Sequence, residues 1–208
     1  MTGKMLRLGL TGGIATGKTA VAAMLRKLRF DVLDADSLAH KLIEPGQLAY
    51  DEVVREFGPS VLDSDARVNH STLAAIVFAD PAKLAILNAI LHPRVEVAIH
   101  QKFAEWANSG TRDAAFVEAA LLVEAGYDKK LDGLVVTWCR PEQQLERLRA
   151  RGFSEQDARQ RIAAQLPMTE KLAHATEKID CSGSLEDTRK QVAALAAKLR
   201  NKTPKSQQ

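Results

Sequence analysis

Cysteine is scarce in this chain of 208 residues: Cys139 and Cys181 stand far apart, without the spacing of a metal-binding pair. That excludes a disulfide-stapled scaffold and a thiolate zinc site, and both thiols are expected to be reduced core or loop residues. Long apolar runs are also absent, since none approaches the roughly 20 residues that cross a bilayer. Residues 1–7 lack the hydrophobic core of a secretory signal, so the expected location is the cytoplasm, with no membrane partner. A net charge of +3 is too small to lay a basic track for nucleic acid, though it mildly favours a polyanionic small ligand. No guanine-reading Asn-Lys-x-Asp occurs, which argues against a nucleotide switch, and there is no internal repeat or low-complexity linker. What remains is an ordinary globular composition, 46% apolar and 26% charged, long enough to bury a substantial interior.

The most informative stretch lies near the start. An apolar strand is predicted over 7–11, followed by Gly12-Gly13-Ile14-Ala15-Thr16-Gly17-Lys18-Thr19. Gly12, Gly17, Lys18 and Thr19 satisfy G-x-x-x-x-G-K-[ST], the loop whose backbone amides cradle phosphates. Gly12, Gly13 and Gly17 let the main chain approach a polyphosphate and adopt positive φ. Amides at the start of the next helix then point at the anion, aided by the helix dipole. Lys18 would reach the β- and γ-phosphates of ATP, and the Thr19 hydroxyl would sit on Mg²⁺. Val21, Met24, Leu25 and Leu28 recur at helical spacing after the lysine, as the motif requires.

A second strand is predicted over 30–34, and strand, helix, strand with this crossover length implies a parallel pair in an α/β fold. Alternation by two would turn Asp34 and Asp36 to the same side, just past the strand's carboxyl end, where open α/β sheets place ligands. Asp36 reads either as the cap of a helix beginning near Ser37 or as the general base for a substrate hydroxyl. From 42 to 110 the alternation stops and a helical insertion is expected. Glu44-Pro45-Gly46 and Phe57-Gly58-Pro59 act as breakers, one helix opens at Asp80-Pro81, and another follows His92-Pro93. Val95, Ile99, Phe103 and Trp106 form a stripe on that last helix, expected to be core. Further strands are predicted over 114–120, 134–138 and 178–180, then a turn at Gly183, a helix over 185–199 and a frayed polar tail over 201–208. Glu118, acidic within an apolar run, reads either as support for the metal's water shell or as a solvated or salt-bridged edge residue. Arg147, Arg149, Arg151, Arg159 and Arg161 form either a solvated face or a mobile lid that neutralises charge in phosphoryl transfer. Ser154 with Asp157 suggests a capping box between them.

Assembled, these residues resemble the dephospho-CoA kinase family from about Leu6 to Leu199. The likeness rests on the phosphate loop, on Asp34-Ala35-Asp36 with His40 and Glu44-Pro45-Gly46, and on Leu91-His92-Pro93. It extends through Leu121-Leu122-Val123-Glu124 to a set comprising Gln144, Arg147, Arg151, Arg161, Gln165 and Lys171. It implies a P-loop kinase-like parallel sheet flanked by helices, with a helical substrate-binding insertion and an arginine-rich lid. The nucleotide core would comprise 5–36, 111–143 and 172–200, the CoA-side helical domain 37–110, and the lid 144–171. The implied reaction moves the γ-phosphate of ATP to the ribose 3′-hydroxyl of dephospho-CoA, the last step of coenzyme A synthesis, in a monomer or small homo-oligomer. Asp36 would be the base, Lys18, Arg147 and Arg151 the charge stabilisers, and residues 12–19 with Gly183 the ATP site. Asp34, His40, His92, Pro93, Leu121, Glu124 and Arg161 would form the acceptor site. The chain departs from the family in three places. Ala120 stands where a proline is usual, Ala15-Thr16 replaces glycine-serine, and Cys181-Ser182 replaces an asparagine pair near the adenine. The rival of the same build is a kinase of a nucleoside monophosphate or a sugar acid.

Overall fold

The computed structural model describes residues 5–109 and 113–202. Strand β1 (Leu6–Gly12) is apolar enough to be covered on both faces, and it occupies the centre of a five-stranded sheet. With β2 (Asp31–Asp34), β3 (Ala114–Glu118), β4 (Gly133–Trp138) and β5 (Glu177–Asp180), the order is β2-β3-β1-β4-β5. β1 runs parallel to both β3 and β4, and β4 parallel to β5. The register sets Leu10 opposite Glu118 and Gly12 opposite Thr137, so both neighbouring strands end beside the start of the phosphate loop.

Helices α1 (Lys18–Lys27) and α9 (Leu185–Lys202) share a core cluster with the sheet. Leu10, Val21, Leu25, Phe116 and Val192 are completely buried there. Each such side chain contributes about 1.5–3 kcal/mol relative to exposure. Phe30 and Phe116 meet edge to face at 5.7 Å. Since α9 continues to Lys202, the expected tail loses its first two residues to the helix, and 203–208 lie outside the described residues. Residues 110–112, at the foot of the expected third strand, lie outside them too. The strand itself stops at Glu118 rather than continuing to 120.

The chain forms two compact units, one comprising Met1–Leu33 with Phe103–Gln208, the other Asp34–Lys102. The second contains α2 (Ala35–Leu42), α3 (Tyr50–Phe57), α4 (His70–Ala79) and most of α5 (Pro81–Asn108), around a core that includes Val53, Val61, Val77 and Ile90. Asn69 caps α4 by accepting from the Ser71 and Thr72 amides, both at 3.1 Å, and Asp80 caps α5 through the Ala82 amide at 2.9 Å. Two sequence expectations change here. The helices on either side of His92-Pro93 are one continuous helix, α5, with Pro93 inside it. Proline removes the donor for the carbonyl four residues back and pushes that turn open. One residue on, the Arg94 guanidinium donates to the Ile90 carbonyl at 2.6 Å while also pairing with Glu52.

The second change concerns the aspartates. Helix α2 begins at Ala35, and its cap is Asp34, not Asp36. The Asp34 carboxylate accepts from the Ser37 amide at 3.0 Å and the Ser37 hydroxyl at 2.8 Å. Asp36 is therefore inside the first turn. Asp34 is the cap and Asp36 a helical residue, so the alternation of an extended segment does not run across the pair.

Candidate active site

The segment from Gly12 to Gly17 leaves the end of β1 and turns into α1. A Cβ at Gly12 would overlap Thr137, lying 2.5 Å from its carbonyl oxygen. At Gly13 it would meet Gln144 Nε2 at 2.9 Å and Met168 Cε at 3.0 Å. These two glycines are needed for close approach. Positive φ belongs instead to Gly17, at 102°, and to Ala15, at 61°. The loop is braced from within by Thr16, whose buried hydroxyl bonds the Gly13 carbonyl at 2.8 Å and the Thr137 hydroxyl at 2.9 Å.

Lys18 opens α1, and its ammonium lies 3.0 Å from Glu118 Oε1. The other oxygen of Glu118 receives Arg26 at 3.3 Å, and Arg26 also donates to the Val32 carbonyl at 3.1 Å. Glu118 is 3% exposed, so its charge is held by two cations rather than by water. Of the two sequence readings of Glu118, a salt-bridged position is what the structure has. Thr19 is exposed at the second position of α1.

Residues 144–171 comprise most of α6 (Pro141–Ala150), then α7 (Glu155–Ala163) and most of α8 (Met168–Ala173). Ser154 caps α7 by accepting from the Asp157 amide at 3.1 Å. The segment grips the phosphate loop. Gln144 Nε2 donates to the Ile14 carbonyl at 2.7 Å, and the Ile14 amide donates to Gln165 Oε1 at 2.7 Å. Arg147 donates to the Ala15 carbonyl at 3.2 Å and to the Cys181 carbonyl at 2.7 Å. Arg151 is exposed just past α6, and exposed Arg161 lies over the Phe153 ring, 4.5 Å from its centroid. Glu124 turns to this segment, accepting from Lys171 at 2.7 Å and from the Leu166 amide at 3.1 Å. Lys171, fully buried, also donates to the Ala120 carbonyl at 2.7 Å. Leu121 is 49% exposed, whereas Leu122 is buried.

A cavity of about 280 Å³ adjoins the loop, lined by Ala15, Gly17, Ala20, Arg147, Arg151 and Cys181, with Gly183, Leu185 and Thr188 closing it. Cys139 and Cys181 are free and buried. Burial pushes the Cys181 thiol up to about 11 and raises Cys139 as well, so both stay neutral at ordinary pH.

Within the unit Asp34–Lys102, Asp36 is exposed on the first turn of α2, and exposed His40 meets His70 at a 41° tilt with ring centroids 4.3 Å apart. Burial lowers the His70 pKa below 6.5, helped by the charge of His40 and opposed by Glu44. His92 and Pro93 are exposed on α5. Asp34 is engaged as a cap.

Sequence reasoning gave no role to Arg26 or Thr137, which has no motif to announce it. Among the described residues, no group of three or more His, Cys, Asp or Glu is placed to hold a metal. A Mg²⁺ ion carried on phosphates needs only one or two protein oxygens, and the exposed Thr19 hydroxyl at the end of the loop suits that donor set. No helix among the described residues is long and apolar enough to cross a membrane.

The sequence profile of the dephospho-CoA kinase family matches residues 6–187. The chain belongs to this family. A dephospho-CoA kinase of Symbiobacterium thermophilum is 43% identical over 188 residues, covering 90% of this chain and 78% of that protein. Among solved structures, TT1252 from Thermus thermophilus is 33% identical with a TM-score of 0.81, covering 94% of this chain and 98% of its own. The dephospho-CoA kinase from Campylobacter jejuni is 25% identical with a TM-score of 0.71, at the same coverages of 94% and 98%. The family's α/β kinase architecture is therefore also the architecture of this chain.

Proposed function

We infer that this chain transfers the γ-phosphoryl group of ATP to the ribose 3′-hydroxyl of dephospho-CoA, completing coenzyme A. The observation that carries the reading is a fully formed phosphate loop in a chain that matches the family over residues 6–187. Phosphoryl transfer asks little covalent chemistry of a protein, and positioning with charge neutralisation supplies most of the acceleration. Loop amides other than those of Ile14 and Thr16, which Gln165 and the Gly13 carbonyl already take, and the ammonium of Lys18 hold the polyphosphate, with Lys18 exchanging Glu118 for phosphate oxygen. Thr19 would hold Mg²⁺, which would supply charge neutralisation at the transferring phosphate when bound.

Asp36 accepts the proton of the attacking hydroxyl. Arg147 and Arg151 line the donor side and offset charge there, while Gly183 gives the nucleoside room. Asp34, His40, His92, Pro93, Leu121, Glu124 and Arg161 serve the acceptor, Asp34 by fixing the start of α2 and Glu124 by holding the segment that carries Arg161. The helical insertion over 37–110 acts as the acceptor domain and 144–171 as the lid. The reaction calls for no nucleic acid or membrane partner, and a cytoplasmic monomer or small homo-oligomer suffices for it.

The test is a coupled assay of ATP-dependent conversion of dephospho-CoA to coenzyme A, beside a nucleoside monophosphate and a sugar acid as acceptors. Asp36→Asn is expected to lower turnover by about 10²–10⁴-fold while ATP affinity stays within about twofold. Turnover within threefold of the parent would remove Asp36 from the proton transfer, and preference for another acceptor would overturn the assignment.

A further inference from the structure

Four of the five histidines lie in the unit Asp34–Lys102, where Asp and Glu outnumber Lys and Arg. An acceptor that carries phosphates therefore meets an excess of its own sign there and needs a local cation. Arg94 and Arg55 both turn to Glu52. His40 and His70 instead meet each other from exposed positions on α2 and α4, with ring centroids 4.3 Å apart.

Position gives the pair its meaning. His40 follows Asp36 by four residues on α2, so the two share a face about 6 Å apart along the axis. Lys41, the next residue, lies about 100° round the helix. In dephospho-CoA one ribose carries both the 3′-hydroxyl and the 5′-diphosphate, a separation on the order of one helical turn. With the hydroxyl at Asp36, the diphosphate reaches the two rings. A neutral imidazole offers one N–H to it and an imidazolium two.

The proton inventory then depends on the ligand. Partial loss of hydration and the charge of His40 hold the His70 pKa below 6.5, opposed by Glu44 in the turn after α2. His70 is the only charged or titratable side chain on α4. Without an anion, His70 is mostly neutral at pH 7. A diphosphate supplies the negative charge that favours a second proton on the pair, so anion and proton assist each other's binding equally.

We propose that His40 and His70 form a proton-linked subsite for the acceptor's diphosphate, so that dephospho-CoA binds together with a proton taken up by the pair. The proposal rests on the acceptor reading of this unit and adds His70 to it. Calorimetry of the full chain with dephospho-CoA, in two buffers of different ionisation enthalpy at pH 7, counts the protons bound with the ligand. The diphosphate diester itself does not titrate there. The expected uptake is about 0.3–1 proton, with a dissociation constant that rises about two- to tenfold from pH 6.5 to 7.5. His70→Gln and His40→Gln should each cut uptake below about 0.1 proton and weaken binding about tenfold at pH 6.5. His100→Gln, at an exposed position of α5, should keep both. A histidine that only packs moves no proton, so uptake below about 0.3 proton in the parent, or uptake retained in His70→Gln, overturns the proposal. The coupled assay separates this from the reading beneath it. Turnover of dephospho-CoA without proton uptake removes only the subsite, whereas absence of turnover removes the acceptor reading and the subsite with it.

Discussion

The ammonium of Lys18 lies 3.0 Å from Glu118 Oε1, so the cation assigned to phosphate is held by a buried carboxylate. Three charges share that spot. Arg26 takes the second oxygen of Glu118, so the carboxylate keeps a cation when Lys18 leaves.

Glu118→Gln makes this measurable. Removing one charge of a buried ion pair costs about 3–5 kcal/mol, and the two cations here can partly rehydrate, at 16% and 43% side-chain exposure. The expected loss in urea unfolding is about 3 kcal/mol. ATP affinity measured without Mg²⁺ should hold or rise, since Lys18 no longer has a competing anion. A fall in that affinity would mean the carboxylate orients Lys18 rather than restrains it.

Lys171→Met tests a fully buried ammonium. Its loss leaves the Ala120 carbonyl with only the Thr11 hydroxyl, at 3.2 Å, and strips Glu124 of its cation. About 3 kcal/mol of stability should disappear in denaturant titration. Lys129→Met, at an exposed position, should change stability by less than about 0.5 kcal/mol.

Gly17→Ala and Gly46→Ala separate backbone strain from packing. Both glycines have positive φ, at 102° and 80°, where an added Cβ costs about 1–2 kcal/mol. At Gly46 nothing lies within 4 Å, whereas at Gly17 the new atom meets Cys181 Sγ at 2.9 Å. The Gly17 variant should therefore melt lower than the Gly46 variant and lose ATP affinity by more than tenfold. Equal melting temperatures would mean that the Cys181 side chain yields without cost.

The pH response of His70 has a definite sign. Its folded pKa is below 6.5, so the unfolded chain takes the proton first as pH falls. Stability is flat above that region and declines as pH drops through 6.5 toward the lowered value. Urea midpoints between pH 7.5 and 5.5 should fall more steeply for the parent than for His70→Gln. His40 and Glu44 face His70, and their variants should shift the onset in opposite directions.

Much of this molecule was legible from local chemistry. The phosphate loop announces itself because glycine, lysine and threonine at fixed spacing have few other uses, and Asp80-Pro81 marks a helix start through capping. Regions decided by distant partners were not legible. Nothing near Arg26 says that it will hold Glu118, and nothing near Glu124 says that Lys171 will claim it, because both pairings depend on parallel register and helix docking. The misreadings also have local causes. Strand alternation does not reach Asp36, because β2 ends at Asp34, whose carboxylate caps the helix that begins beside it. Pro93 reads locally as a break, yet α5 continues through it.

Strand order has a consequence for the newborn chain. On the ribosome β1 emerges first, yet its two neighbours, β3 and β4, begin only at Ala114 and Gly133. At about 5–20 residues per second, the central strand waits several seconds for a partner. The contiguous unit Asp34–Lys102 is synthesised within that interval, so its helices can close before the nucleotide-gripping half exists. Until those neighbours emerge, β1 remains an unpaired, aggregation-prone β-strand, a natural client for a chaperone.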